Sequence, residues 1–461
     1  MRRDIGIRHL ILLIVEDAII LMAILIAMGL RFGQDVRFIL MDSGEWLRIA
    51  AVVLTTQLSF YYHDLYELKV LNSRRELFIQ LLQALGVTSI ALSLLYYLFP
   101  DLVLGKGIFA LFVLVVIGVV VVWRLVYSAI LSMKRLSLNI LLVGSGDMAA
   151  AIYAETLSRK TLGYHVIGCL TDTPPTDDSQ KKKLPRVLGG FKELPTYAAR
   201  PDIDRVVVAI GERRGNFPVR DLLALRTSGL PIEDGCSFYE ELTGKLLVEY
   251  MRPSQIIFSE GFSKRLITLS LKRFMDFFAS GVLLIISIPL WFFIPIAIKL
   301  DSRGPVFFTQ ERSGERGKAF RILKFRSMHK DAEERTGPIW AGEKDPRITR
   351  VGRFIRKTRI DEIPQLINIF KGQMSFVGPR PERPFFIEDL SENIPYYMLR
   401  NTVKPGLTGL AQVHYSYASS VGDAMEKLRY DLYYIKRLGF WMDLSIIFET
   451  IKVVLFGKGA K

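Results

Sequence analysis

Cysteine is almost absent: Cys169 and Cys236 are the whole complement of 461 residues, and five histidines accompany them. They make no clustered Cys/His pattern of metal-site spacing, so neither a disulfide framework nor a zinc site is supported. Acidic residues are also scarce, 46 Asp and Glu against 61 Lys and Arg, for a formal charge of +15. The shortage is uneven. From Lys264 to the end, 33 Lys and Arg face 20 Asp and Glu, which places +13 of the +15 there. Such a region expects anionic company: phosphates, a lipid surface or nucleic acid. No small-residue cleavage site follows the first apolar run, which therefore reads as a retained anchor.

What the chain has in abundance is hydrophobic residues, half of the total. Four apolar stretches approach the ~20 residues that a helix needs to cross the hydrocarbon core: about Ile7 to Leu30, Trp46 to Tyr62, Leu77 to Phe99 and Ile108 to Leu131. Residues 1–135 are thus expected to form four transmembrane helices. Arg2, Arg3 and Arg8 precede the first, Lys69, Arg74 and Arg75 separate the second from the third, and Lys134 and Arg135 follow the fourth. The positive-inside rule then puts the N-terminus and everything after residue 132 in the cytoplasm. Glu16 and Asp17 fall inside the first span, where helix packing is their expected role. A fifth stretch, Phe274 to Leu300, is basic on both sides and interrupted by Pro289 and Pro295. Proline removes a backbone donor and kinks a helix. Residues 274–300 therefore read as a re-entrant helix bent at Ile288-Pro289; a kinked spanning helix is the alternative.

Between them the pattern is soluble α/β. A buried strand at Asn139 to Val143 leads into Gly144-Ser145-Gly146 and a helical run, with further strands near His165 to Leu170 and Arg205 to Ile210. This is the order of a Rossmann-like unit, expected over 136–250, with Asp172 as a ribose-binding candidate. Glycine-rich turns also occur in α/β domains that bind nothing. The stretch from Thr173 to Gly190 reads as a surface loop, and 251–271 as a connector.

From Lys299 onward arginines recur beside glycine and proline turns, and Arg350, Arg353, Arg356, Lys357 and Arg359 have helical spacing. With Val351, Phe354 and Ile355 alongside, such a helix is suited to rest on lipid and hold its guanidinium groups at phosphate depth. Asp361-Glu362-Ile-Pro follows as a helix opening. Asp361 would ordinarily cap that helix. Its setting suggests more. An ionised carboxylate among arginines is a nucleophile for phosphoryl chemistry, and Glu362 beside it offers a second ligand for Mg²⁺. Arg380, in Gly378-Pro-Arg-Pro-Glu382-Arg383, stands on a rigid turn suited to clamp a diphosphate.

The run from Lys272 to about Val454 resembles the monotopic polyprenol-phosphate phosphoglycosyl transferases. It carries Lys272-Arg-Phe-Met-Asp-Phe, the Pro289 break, Gln310-Glu-Arg312-Ser-Gly314, Lys324-Phe-Arg326-Ser-Met, Arg359-Ile-Asp361-Glu362-Ile-Pro-Gln, Gly378-Pro-Arg380-Pro-Glu and Lys404-Pro-Gly-Leu-Thr-Gly. The four preceding spans and the Rossmann-like part are similar to those of the family's large members. The resemblance implies a membrane protein whose mainly α-helical monotopic catalytic domain, 272–461, carries the re-entrant helix. By the same resemblance, Asp361 attacks the sugar-bearing phosphate of a UDP-sugar, UMP leaves, and polyprenyl (undecaprenyl) phosphate takes the phosphosugar from Asp361, opening exopolysaccharide, capsule or O-antigen synthesis at the bacterial inner membrane. Glu362 would assist with Mg²⁺ or protons. Lys324, Arg356 and Arg380 would contact phosphates, with Arg312, Arg326, Arg359 and Arg383 as further phosphate or lipid contacts. A homodimer is left open. Two departures stand out: Ser287 precedes Ile288-Pro289 by one place, and His414-Tyr415-Ser416-Tyr417 replaces a common Asn-Gly-Arg-Asn.

A nucleotide-sugar dehydratase or epimerase would need a second glycine-rich fold, whose order the C-terminal part lacks. A nucleic-acid module would want aromatic platforms in a groove, whereas the aromatics lie mostly in apolar runs, so no nucleic acid is expected. A non-catalytic membrane scaffold would be indifferent to Asp361.

Overall fold

The computed structural model describes residues 2–41, 43–63, 65, 74–104, 108–132, 138–159, 163–173, 183–210, 217–259, 261–262, 265–330, 345–415 and 420–456. Lys69, Lys134, Arg135, residues 174–182 of the surface loop, Lys264, Ser416 and Tyr417 lie outside them. The chain forms two units, Met1–Leu242 and Thr243–Lys461.

In the first unit each expected apolar stretch lies on a helix: Arg2–Phe32, Ser43–Tyr62, Arg74–Leu98 and Ile108–Ser132. Ile20, Ile24, Met28, Phe60, Phe112 and Val116 meet in their common core. Glu16 is fully buried. Two buried hydroxyls are satisfied by backbone: Thr56 donates to the Val52 carbonyl one turn back, and Ser59 to the Ala84 carbonyl of another helix. Among the described residues one unbroken helical segment, Ile79–Leu98, is by itself long and apolar enough to cross a membrane.

The same unit holds a five-stranded parallel sheet. Its strands are β1 (Leu138–Val143), β2 (Tyr164–Leu170), β3 (Val187–Gly189), β4 (Arg205–Val208) and β5 (Ile232–Asp234), in the order β3-β2-β1-β4-β5. β1 is central, which is why Ile140 to Val143 form an unbroken apolar run with no exposed face. The order of strand addition reverses between β1 and β4, the switch point where ligands sit in open α/β folds. There Gly144 adopts φ +121°, and a Cβ on it would strike the Ala209 carbonyl, so the turn into the helix Asp147–Ser158 requires glycine.

The second unit begins before the boundary at 250 read from the sequence, because Leu246 and Val248 are buried in its core beside Val377, Leu428 and Leu432. Its first long feature is the broken helix, Leu266–Ile286 and Ile288–Asp301, bent by 60°. The joint is Ser287, one place before the expected Ile288-Pro289. Pro289 has no N–H for the Ile285 carbonyl, so the ladder fails there. The Ser287 hydroxyl donates to the Leu284 carbonyl and accepts from Trp291 Nε1, which steadies the corner. One side of the helix is tied to the unit: Lys272 to Asp443 at 2.7 Å, Arg273 to the carbonyls of Ile369 and Phe370, Asp276 to Ser375 Oγ and Phe376 N–H. The opposite side exposes Phe274, Phe278, Ile286, Phe292, Phe293 and Leu300.

Strands unforeseen in the sequence complete this unit. β6 (Phe307–Ser313) and β7 (Ala319–Phe325) form an antiparallel hairpin; β8 (Ser375–Val377) and β9 (Gly406–Thr408) pair in parallel. The arginine-rich helix is real but short, Arg350–Lys357, capped by the Thr349 hydroxyl on Gly352 N–H. Its apolar side corrects the lipid-facing expectation: Ile355 is buried with Ile294, Ile298 and Phe325, and Val351 packs beside them. Phe354 stays exposed.

Candidate active site

Asp361 and Glu362 lie in a 3₁₀ turn, Ile360–Glu362, between the arginine helix and the helix Gln365–Phe370. No side-chain cap bond forms at either, so Asp361 does not cap a helix. The residue before the turn, Arg359, has φ 58° and ψ 13°. A left-handed conformation in a non-glycine residue costs on the order of 1 kcal/mol or more and persists only where surroundings enforce it. Pro364 then starts the next helix, whose Asn368 bonds to the Leu323 N–H and Arg321 carbonyl of β7. The hairpin thereby brings Lys324 to the two carboxyls.

The pair divides its surroundings unequally. Glu362 takes the cations: Lys324 Nζ at 3.1 Å, Arg359 at 3.5 Å and Arg380 at 3.6 Å. Asp361 is buried, yet it makes no hydrogen bond or ion pair among the described residues. Burial pushes the Glu362 carboxyl up, but Lys324, Arg380 and Arg359 together overcome this and hold it well below the usual range. For Asp361, burial and then the neighbouring Glu362 charge raise the carboxyl to about 6; Lys324, Arg356 and Arg359 oppose this without cancelling it. The surrounding cations thus overcome burial at Glu362 but not at Asp361. Lys324 is lowered, chiefly by burial, with Arg380 pushing the same way and Glu362 pulling back.

Arg356 points charge at Asp361 and keeps Nη1 buried with no hydrogen-bond partner among the described residues. Arg380 rides on a loop fixed from several directions. Gly378 N–H bonds to the Thr408 carbonyl and Gly406 N–H to that of Pro379. The approach is so close that a Cβ on Gly406 or Gly409 would strike Gly378. Arg312 braces the loop at the Pro381 carbonyl (3.3 Å) and Arg400 at the Arg380 carbonyl (3.0 Å). Arg400 is itself buried, bonded to Asp431 at 2.9 Å and to the Tyr397 hydroxyl at 2.8 Å. Gln412 accepts from Arg380 Nη1 at 2.9 Å.

Of the sequence candidates, Asp361, Glu362, Lys324, Arg356, Arg359 and Arg380 converge. Arg312 supports the loop. Arg326 lies elsewhere: it is buried and its guanidinium holds the carbonyls of Ser302 and Arg303, anchoring the end of the broken helix. Arg383 stands at the N-cap of the helix Pro384–Asn393. Arg400, Asp431 and Gln412 were missed. Asp431 left a signal: it falls between Leu428, Leu432 and Ile435 on the apolar side of the helix Val421–Arg437, where a charge must find a partner.

Among the described residues no three Asp, Glu, His or Cys side chains form a metal cluster. Two adjacent carboxyls, one without hydrogen bonds among the described residues, nonetheless suit Mg²⁺, which takes one or two carboxylates together with substrate phosphates.

A site of two carboxyls and several cations suits phosphate chemistry, and comparison with known proteins gives the class. The family model described as bacterial sugar transferase matches residues 267–457, and one described as a CoA-binding domain matches residues 62–215. The UDP-N-acetylgalactosamine-undecaprenyl-phosphate N-acetylgalactosaminephosphotransferase of Aeromonas hydrophila is 41% identical over 222 residues, 48% of this chain and 52% of that protein. The undecaprenyl-phosphate glucose phosphotransferase of Komagataeibacter xylinus is 33% identical over 333 residues, 71% of this chain and 61% of the relative. The UDP-glucose:undecaprenyl-phosphate glucose-1-phosphate transferase of Klebsiella pneumoniae is 34% identical over 330 residues, 68% of either chain. The chain therefore belongs to the bacterial sugar transferase family, the polyprenol-phosphate phosphoglycosyl transferases. Its matches span 52% and 61% of the lengths of the first two relatives.

Proposed function

We propose that this protein transfers a sugar 1-phosphate from a UDP-sugar to polyprenyl (undecaprenyl) phosphate through an aspartyl phosphosugar on Asp361. One observation carries the reading: a buried carboxyl without hydrogen bonds among the described residues, beside a second carboxyl that has gathered three cations. Two neighbouring acids whose proton affinities are driven apart take different roles. Asp361, raised to about 6, is ionised at neutral pH and more basic than an ordinary aspartate, as a nucleophile should be. Its oxygen attacks the phosphorus that bears the sugar. The bond from that phosphorus to the bridging oxygen breaks, and UMP leaves with the electron pair. A phosphate oxygen of the polyprenyl phosphate then attacks the same phosphorus, returning the Asp361 carboxylate and forming polyprenyl diphosphosugar.

Lys324, Arg356 and Arg380 spread positive charge over the phosphates, and the Arg380 loop keeps its guanidinium in place before substrate arrives. Asp361 and Glu362 would hold Mg²⁺, which supplies charge neutralisation on the phosphate oxygens.

The acceptor is a lipid, and the exposed side of the broken helix suits a bilayer: each large apolar side chain moved from water to an apolar phase gains about 1.5–3 kcal/mol. With basic residues at both ends, a re-entrant helix in the cytoplasmic leaflet of the bacterial inner membrane is favoured over a crossing. The four N-terminal helices are read as spans, with the α/β and catalytic parts cytoplasmic. Cysteines introduced at Lys264 and at the exposed Lys318 should react from the same side; opposite sides would reject re-entry.

The reaction itself is tested in membranes given radiolabelled UDP-sugars and polyprenyl phosphate. Wild type releases UMP and labels lipid, a chelator stops both until Mg²⁺ is restored, and Asp361→Asn loses at least about a thousandfold. Activity surviving Asp361→Asn rejects the mechanism.

A further inference from the structure

Beyond Arg380 the structure holds two more donors that the reading above does not use. Gln412 is in the short helix Leu410–His414, and its Oε1 accepts from Arg380 Nη1. A guanidinium only donates, so this bond fixes the amide: its N–H₂ end must face away from Arg380. That Nε2 is buried and has no hydrogen-bond partner among the described residues. Lys427 lies one helical turn before Asp431, on the same side of Val421–Arg437. Asp431 is bonded to Arg400, and Arg400 to the Arg380 carbonyl, so Lys427 faces the base of the Arg380 loop. It makes no hydrogen bond or ion pair among the described residues. Burial lowers its proton affinity, Glu382 and Asp431 oppose this, and Arg380 and Arg400 push with it.

The order of these groups carries the inference. Lys324, Arg356 and Arg359 act on Asp361 directly. Glu362 joins Lys324 to Arg380, and Gln412 is reached only across Arg380. In phosphoryl transfer the attacking and leaving oxygens lie roughly in line, on opposite sides of phosphorus. Donors beyond Arg380, with nothing of their own to bind, therefore belong to the departing side. We propose that Gln412 and Lys427, together with Arg380, form the subsite that holds the phosphate of the leaving nucleoside monophosphate. An orphaned buried donor is costly until an acceptor fills it, and a phosphate oxygen supplies a charge-assisted one.

The subsite rests on the phosphoglycosyl transferase reading, and the test separates the two. Full-length protein is assayed for lipid labelling with UMP as product inhibitor. In Gln412→Ala and in Lys427→Met, the Ki for UMP and the KM for UDP-sugar should each rise about tenfold, as expected for one lost charge-assisted hydrogen bond. Polyprenyl phosphate attacks from the side that UMP has left, so its KM should rise as well, by no more than the Ki for UMP does. Lys427→Arg, which keeps the charge, should recover most of the UMP affinity. Gln412→Glu keeps the shape but sets a negative charge against the phosphate, so it should weaken UMP more than alanine does; these two variants also control for folding. A UMP Ki unchanged in an active enzyme overturns the subsite alone, as does a shift confined to polyprenyl phosphate, the other phosphate monoester that reaches this site. A wild type that releases no UMP from any UDP-sugar overturns the underlying reading and the subsite with it.

Discussion

The Gly144–Gly146 turn and the Arg359–Glu362 turn are both built for anions by their residue types, yet they differ in what remains unmet. In the α/β turn the polar groups serve one another: Ser145 Oγ bonds to Thr171 Oγ1 and to the Thr173 carbonyl, and Asp172 accepts from Phe191 N–H at 2.7 Å. Its unusual backbone is borne by a glycine. In the second turn the unusual backbone falls on an arginine, a buried carboxyl has no hydrogen bond among the described residues, and Arg356 and Gln412 keep buried donors unmatched. Self-satisfaction stabilises a turn; unmet polar groups cost stability and await a ligand.

The largest effect on this contrast should come from the brace. Arg400→Met leaves Asp431 charged and unpaired in the core, and loss of about 3–5 kcal/mol is expected, read as a lower midpoint in thermal or denaturant unfolding. An unchanged midpoint would mean that the Arg380 loop stands without it. Next is Asp361→Asn, which should stabilise the protein while abolishing turnover. A carboxyl whose folded pKa lies above its unfolded value opposes folding once both states are ionised. The penalty is full above about pH 6, shrinks as pH falls through 6, and vanishes below the ordinary aspartate range. Removing it should gain about 3 kcal/mol at pH 7.5 and nothing near pH 3. For Glu362 the sign is opposite: its lowered pKa contributes stability above the ordinary glutamate range, lost as pH falls toward its folded value.

A smaller effect concerns rate. The acid limb of kcat/KM should have its midpoint near pH 6, rising with pH as Asp361 ionises. Glu362→Gln removes a charge that raises Asp361, so the limb of the residual activity should move to lower pH; a limb that stays put would detach it from Asp361. The smallest effect is expected at the satisfied turn. Ser145→Ala should change lipid labelling by less than about twofold, the usual range for surface substitutions. A tenfold loss would give that turn a part in the reaction.

How far the sequence reached varies with how local the cause was. The break at Ser287 was legible to within a residue because a proline's missing N–H acts on its own helix. That Asp361, Glu362, Lys324 and Arg380 stand together was expected from the short ordered motifs that carry the family resemblance, and the structure brings them together. Arg326 was misread: an arginine that holds carbonyls at a chain corner looks, in sequence, like one that awaits phosphate. The side of Arg350–Lys357 facing the protein was misread too, since apolar spacing does not say whether lipid or Ile294 and Ile298 will cover it. Arg400 gave no warning, because its importance lies in reaching Asp431 across more than thirty positions.

By itself the sequence determined the long apolar stretches, the parallel α/β order, the family and the adjacency of the two acids, since hydrophobic length, strand periodicity and short motifs are written along the chain. Only the tertiary structure decided which acid receives the cations. Three positive side chains from a hairpin, a strained turn and a glycine-locked loop converge on Glu362, leaving Asp361 buried, without an ion pair among the described residues, and more basic than an ordinary aspartate. Coulomb and desolvation energies depend on distance and burial in space, and neither is encoded by adjacency.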